Sequence, residues 1–263
     1  MAIEIKNASF RYPNGFQAIE NISITINDGE RVAIVGQNGA GKTTAVKMMN
    51  GLNKPSSGDV IIDGINTKTR TTAAIARIVG YVFQNPDDQI FNQSVKAEIE
   101  YMPRYFKLPE KEIEERLNYA VELTNIEKYL KINPYDLPYP IRKFVAIAAV
   151  IASQPKYIIL DEPTAGQDKH GLEQLSKLID RLQSNGVTVL TITHDMEFAV
   201  NNFHRIVAMA HKNIIADGTP QDIFWNEEVV AEARIKKPVI AELAKQLGLD
   251  GKILFIDELV ARL

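Results

Sequence analysis

Apolar positions change their period along this chain, and each change predicts a different kind of element. Ile3, Ile5, Ala8 and Phe10, then Ile19, Ile22, Ile24 and Ile26, contain stretches of period two, which predict antiparallel strands with one buried face. Arg31-Val32-Ala33-Ile34-Val35 is an apolar strand. A helical spacing then runs through Val46, Met48 and Met49 and ends near Asn50-Gly51. Pro55-Ser56-Ser57-Gly58 reads as a turn, Asp59–Gly64 as a short strand closed by another turn, and Ile78–Phe83 as a buried strand. From Ser94 to about Ala152 the spacing is mostly helical, with a charged surface helix over Glu110–Leu123 opened by Pro109. Strands return at Tyr157–Leu160, Thr188–Thr193 and Ile206–Met209, with a helix over Gly171–Gln183 among them. Near the C-terminus, Pro238 opens a helix whose Ile240, Leu243, Ala244 and Leu247 form one apolar stripe. A second apolar set, Ile253, Leu254, Phe255, Ile256, Leu259, Val260 and Leu263, follows it. The pattern predicts an α/β chain interrupted by a helical block.

Composition narrows the setting. With 263 residues the chain can bury a full core, as one large domain or a domain plus an appendage. A net charge of −3 gives no global attraction to nucleic acid or anionic lipid, so no nucleic-acid partner is expected and any phosphate affinity must be local. The absence of cysteine excludes a disulfide framework and thiolate chemistry, and suits a reducing compartment. Met1 to Lys6 lack the apolar run of a signal peptide, and the longest near-continuous apolar stretch, Phe144 to Ala152, is too short to cross a bilayer. A soluble chain is expected, with any membrane role by attachment.

Between the strand at Arg31–Val35 and the next helix lies Gly36-Gln37-Asn38-Gly39-Ala40-Gly41-Lys42-Thr43, followed by Thr44. This G-x-x-x-x-G-K-[ST] loop stands in the strand–loop–helix context that phosphate binding needs. Its glycines let backbone N–H groups turn inward around phosphate oxygens, and the helix aims its positive end at them. Lys42 would reach the β- and γ-phosphates, and the Thr43 hydroxyl would bind Mg²⁺. Downstream, Tyr157-Ile158-Ile159-Leu160 makes a buried strand that delivers Asp161 and Glu162 at its C-terminal end, where open α/β sheets place ligands. Asp161 would hold the Mg²⁺ shell and Glu162 would polarise an attacking water, because phosphoryl transfer needs positioning and electrostatics more than covalent help.

Leu160-Asp161-Glu162-Pro163-Thr164-Ala165-Gly166-Gln167-Asp168, preceded by Gly36–Thr43 and followed by Thr193-His194-Asp195, resembles the nucleotide-binding subunits of ABC transporters over nearly the first 220 residues. Within that family the chain is most similar to the ATPase subunits of energy-coupling factor transporters, the cobalt- and vitamin-importing branch. Phe10-Arg11-Tyr12-Pro13-Asn14-Gly15, Gln84-Asn85-Pro86-Asp87-Asp88-Gln89-Ile90-Phe91 and the tail carry this closer likeness.

The resemblance implies a P-loop NTPase core with an antiparallel β-subdomain, an inserted α-helical subdomain and a small C-terminal extension. An ATP-binding domain is expected over 1–219, with the helical subdomain at about 86–152, and a dimerisation or regulatory extension over 220–263. It further implies ATP and Mg²⁺ as cofactors, Tyr12 stacking on adenine, and Gln84 reaching Mg²⁺ and the attacking water. His194 would sense the γ-phosphate, its imidazole donating from one nitrogen and accepting at the other. The implied protein powers an importer from the cytoplasmic face of the membrane. Its implied partners are a second ATPase with an intact signature, a transmembrane coupling subunit and a substrate-binding membrane subunit. Gln84 to Phe91, with Tyr101 and Met102, would receive a coupling helix, Asp87 and Asp88 pairing with its basic residues.

This sequence departs from the family in two places. Gln167 replaces the usual leucine of the loop ending in Asp168. Leu137-Pro138-Tyr139-Pro140-Ile141 stands where the family reads Leu-Ser-Gly-Gly-Gln, whose hydroxyl and N–H groups donate to nucleotide on the opposite subunit. Pro138 has no hydroxyl, and neither Pro138 nor Pro140 has an N–H, although Pro140 is a sound helix opener. An asymmetric ATPase heterodimer is therefore expected. A small-molecule kinase would not need Gln84, Asp161-Glu162-Pro163-Thr164 and His194 in this order, and a ribosome-directed ABC protein would carry two phosphate loops. A DNA-repair ATPase of this class would carry a long heptad insertion. A soluble non-transport ATPase or a regulatory ATP-binding scaffold remains the alternative, against which the intact Lys42, Asp161, Glu162 and His194 argue.

Overall fold

A computed structural model describes residues 1–249 and 251–263 of the chain. It opens with β1 (Ala2–Arg11) and β2 (Gln17–Asn27), paired antiparallel as their alternation predicts. The three-residue gaps in that alternation are register shifts between Ile5 and Ala8 and near Phe10, with Asn7 and Asn21 taking the left-handed backbone that asparagine tolerates. Next come β3 (Arg31–Val35), α1 (Lys42–Met49), β4 (Ser57–Ile62), β5 (Ile65–Asn66), α2 (Thr72–Ile75) and β6 (Val79–Val82). The helical block follows as α3 (Val95–Tyr105), α4 (Glu110–Thr124) and α5 (Tyr139–Ile151), with Pro109 and Pro138 capping the last two. Then come β7 (Tyr157–Asp161), α6 (Lys169–Ser184), β8 (Thr188–Ile192), α7 (Met196–Asn202), β9 (Arg205–Ala210) and β10 (Asn213–Gly218). The chain closes with α8 (Pro220–Phe224), α9 (Glu227–Ala233), α10 (Val239–Gln246) and α11 (Ile256–Val260).

Two sheets form. The smaller, β2-β1-β4-β5, is antiparallel; the larger has the order β10-β9-β3-β8-β7-β6, parallel except for β10 at its edge. β10 has no clear sequence signal because its Asn213–Gly218 run is half-exposed and weakly apolar. The continuous apolar runs of β3, β7 and β8 are explained by cover on both faces. Ala33, Val35, Ile158 and Leu160 face a core shared with α3 to α7, whereas Val32, Ile34, Ile159 and Ile192 face one shared with α1 and the antiparallel sheet. The fold is thus an α/β P-loop core flanked by an antiparallel β layer, an inserted helical subdomain and a small C-terminal extension.

The tail differs from its predicted stripe. In α10 it is Ala241 and Ala244 that are buried, Ile240 is partly buried, and Leu243 and Leu247 stay exposed. The two alanines, both fully buried, mark the face that packs on the rest of the protein, Ala241 in the main core and Ala244 beside Ile253 and Leu259. From the second apolar set, Ile253, Leu254 and Leu259 are buried, while Phe255, Ile256, Val260 and Leu263 are exposed. Ile223, Phe224, Val229 and Ala233 of α8 and α9 belong to the main core. No helix among the described residues is long and apolar enough to cross a membrane.

Candidate functional site

The C-terminal ends of β3, β8 and β7 are neighbours in the larger sheet, so three loops meet in one place. β3 feeds the phosphate loop, β7 ends on Asp161 with Glu162 next, and β8 leads to His194. These loops and Tyr12, Phe16 and Gln84 line an open cavity of about 290 Å³. Gly36 has a φ of 142°, and a Cβ there would lie 2.1 Å from the Met209 carbonyl oxygen; only glycine fits so close to β9. Gly41 is left-handed at φ 103° and caps α1, which begins with Lys42.

The Lys42 ammonium is buried and donates to the carbonyls of Gly36, at 2.8 Å, and Gln37, at 3.1 Å. It also lies 3.4 Å from His194 Nε2. Burial holds Lys42 below the usual lysine range, against the pull of Glu162 and Asp161. His194 is lowered as well, by burial and then by Lys42, which keeps the imidazole neutral and able to accept. The same Nε2 is 3.3 Å from Glu162 Oε1, and the His194 backbone N–H donates to Glu162 Oε2 at 3.2 Å. Burial pushes Glu162 up to about 7, with nearby Asp161 adding to the rise and His194 N–H, Lys42 and Lys143 opposing it. A carboxylate poised near neutrality matches what a general base needs.

Residues that carry the oxygen donors Mg²⁺ favours are present: Thr43, Gln84 and Asp161 all line the cavity. Thr43 and Gln84 are exposed towards it, and Asp161 is buried. Tyr12 sits at the rim, its hydroxyl 3.0 Å from Thr44 Oγ1 and its ring edge-on to Phe10. Asn38, Gly39, Gly41 and Thr44 also line the cavity, and Gln37 and Ala40 complete the loop beneath it.

The structure adds residues that the motifs did not single out. Phe16 shares the cavity rim with Tyr12 and is capped on one face by Lys212. Tyr81, in β6, donates its hydroxyl to Asp161 Oδ2 at 2.5 Å; a phenol in a fully buried strand was the available signal. Lys143 donates to the Glu162 carbonyl oxygen at 2.5 Å; its signal was a charge abutting the apolar run Phe144–Ile151, one that the neighbouring Arg142 shares. Gln37 N–H donates to the Ala233 carbonyl, so α9 touches the phosphate loop; a backbone contact has no sequence signal. Gln167 has a definite partner too, its Nε2 donating to the Pro140 carbonyl at 3.1 Å. Within the chain Asp87 pairs with Arg142 at 3.0 Å while its side chain stays partly exposed, so a basic residue on a coupling helix would share that carboxylate with Arg142.

The family model for ABC transporters matches residues 19–165. A putative ABC transporter ATP-binding protein of Pyrococcus furiosus is 38% identical over 247 residues, covering 94% of this chain and 94% of its own. The energy-coupling factor transporter ATP-binding protein EcfA of Methanothermobacter thermautotrophicus is 36% identical over 251 residues, covering 95% of this chain and 81% of its own. Among solved structures, cbiO1 from Clostridium perfringens, part of the ABC transporter complex cbiONQ, superposes with a TM-score of 0.79 at 33% identity, over 92% of this chain and 98% of that one.

Proposed function

Because this chain belongs to the ABC transporter ATP-binding family and is an ATPase subunit of energy-coupling factor type by homology, we propose that it powers a membrane importer of vitamins or transition-metal ions. The observation that carries this reading is the convergence of Lys42, Asp161, Glu162 and His194 at the ends of β3, β7 and β8. Bound ATP would lie with its phosphates against the N–H groups of Gly36–Thr44 and its base against Tyr12. Mg²⁺, held by Thr43, Asp161 and Gln84, would supply charge neutralisation of the phosphates. Glu162 takes the proton of the attacking water, and His194 holds the Glu162 carboxylate through its N–H while its imidazole faces the γ-phosphate. The chain would act at the cytoplasmic face of the membrane. Purifying the native complex, identifying its subunits and measuring ATP-dependent uptake tests this; recovery free of any membrane subunit would favour the soluble alternative.

The membrane partner is proposed to dock on a groove of about 250 Å³ that includes Leu52, Phe83, Phe91, Tyr101 and Met102. Phe91 is 59% exposed and packs edge-on against Tyr101, an arrangement suited to receiving an apolar helix face. Phe91→Asp is expected to release the membrane subunit on co-purification while nucleotide binding stays intact. Retention of that subunit would move the contact elsewhere.

The extension is proposed to hold two ATPases together while they open. Its exposed apolar residues, Val239, Leu243, Leu247, Ile256 and Val260, would supply the surface for that contact. Truncation before Pro220 is the wrong test, since it removes Phe224 and Ala233 from the main core. Leu243→Glu with Leu247→Glu leaves the core whole and is expected to weaken dimerisation at low ATP, read by sedimentation. Unchanged sedimentation would leave the extension without this role.

A further inference from the structure

Lys143 is 3% exposed, in a helix whose residues from Phe144 to Ile151 are all apolar. Its ammonium donates to a peptide oxygen, that of Glu162, and lies 5.6 Å from the centre of the Tyr139 ring. Taking an ammonium out of water for a carbonyl and an aromatic face is expensive, and an apolar side chain of similar length would fill the space more cheaply. Burial accordingly pushes Lys143 down to about 8, with Glu162 and Asp161 pulling the other way.

The residue it holds is itself in an unusual conformation. Glu162 has a φ of 50°, in the left-handed region, which a side-chain-bearing residue keeps only where its surroundings hold it. Four hydrogen bonds do so, one of them local, from the Ala165 N–H to the Glu162 carbonyl at 3.3 Å. The Glu162 N–H donates to the Ile192 carbonyl at 2.9 Å, and His194 N–H donates to the carboxylate. Both come from the end of β8. The fourth, from Lys143, comes from the helical subdomain and shares the carbonyl with Ala165.

We propose that Lys143 is a positioning residue for hydrolysis: by pinning the Glu162 peptide oxygen it aims the water-activating carboxylate, and it makes this chain's turnover depend on how its own helical subdomain is seated. Two further ties seat α5 on the core: Gln167 Nε2, from the loop after β7, donates to the Pro140 carbonyl, and the Tyr139 hydroxyl donates to the Gln84 carbonyl, after β6, at 3.4 Å. The inference rests on the reading of Glu162 as the residue that activates water.

The test uses the assembled complex of this chain with its partner ATPase. Lys143→Met is expected to lower kcat about ten- to a hundredfold, the usual worth of a hydrogen bond from a charged donor. KM for MgATP and the stoichiometry of fluorescent-nucleotide binding should not move, and the melting temperature should not fall. The decisive arm is Glu162→Gln with and without Lys143→Met. If Lys143 acts through the carboxylate, the two residual rates are equal; if it only supports the fold, Lys143→Met lowers both backgrounds by the same factor and the proposal is overturned. Wild-type kcat in Lys143→Met, with Glu162→Gln inactive, overturns it alone. Wild-type kcat in Glu162→Gln overturns the reading of Glu162 on which it stands. Should Lys143→Met fail to fold, Lys143→Gln, which keeps a polar group at the position, is measured in the same two backgrounds, and the same comparison of rates decides.

Discussion

Glu162→Gln is expected to retain MgATP, trap a closed dimer and lower turnover about a hundred- to ten-thousandfold, the span that general-base catalysis covers. The amide cannot take a proton from water but can still accept from the His194 N–H, so the site keeps its shape while losing its base. A second consequence concerns stability. Glu162 is 7% exposed, and burial raises it from 4.5 to about 7. Because its folded pKa lies above its unfolded one, its favourable contribution is full below the unfolded value and is lost as pH rises through the folded one. Glutamine has no such loss. The nucleotide-free Glu162→Gln chain should therefore melt higher than wild type above about pH 8, by on the order of 3 kcal/mol at most, the gap closing towards pH 4.5. Lys42→Ala should instead abolish ATP-dependent transport by weakening the phosphate contact itself. Wild-type turnover in Glu162→Gln would remove Glu162 from the role of base, and a melting gap independent of pH would remove burial as its cost.

What was legible in the sequence followed from how local each signal was. Apolar runs marked β3, β7 and β8, and the phosphate loop and Asp161-Glu162 followed from their positions at strand ends. That these ends lie side by side depends on strand order, which no single run encodes. Long-range contacts were the least legible. Tyr81 reaches Asp161 across β6 and β7, Lys143 reaches Glu162 from another subdomain, and the Gln37 N–H meets a carbonyl in α9. The misread stripe of α10 has a different cause. Hydrophobic periodicity ranks leucine above alanine, whereas the face that packs on the rest of the protein carries Ala241 and Ala244. The Asp87–Arg142 ion pair is likewise invisible in the sequence because the two residues are distant along it.

The other large expected effect is that the chain alone is a slow ATPase and becomes fast with a partner carrying an intact signature. In a homodimer both nucleotides would face Pro138-Tyr139-Pro140. Pro138 caps α5 with no hydroxyl to offer, and Pro140 lies in the first turn without an N–H. The Tyr139 hydroxyl points to the Gln84 carbonyl of its own chain, and its ring packs on Gly166, within 3.0 Å of where a Cβ there would stand. Loss of two charge-assisted donors, worth roughly 1.5–3 kcal/mol each, weakens closure by roughly 3–6 kcal/mol. Falling wholly on the transition state, this slows turnover about a hundred- to ten-thousandfold. In a heterodimer the partner's signature completes the site built on Lys42, Glu162 and His194, and the partner's own nucleotide faces the Pro138–Pro140 segment and turns over slowly. Measuring ATPase rates for this chain alone, the partner alone and the mixture separates the cases. Comparable rates per site in the chain alone and in the mixture would mean that other groups replace the lost donors. The combined change Pro138→Ser, Tyr139→Gly and Pro140→Gly should then raise the homodimer's rate only if those donors are what it lacks. The same change cuts the Tyr139 tie to Gln84, so the heterodimer's site on Lys42 serves as the internal control for damage to the chain's own half.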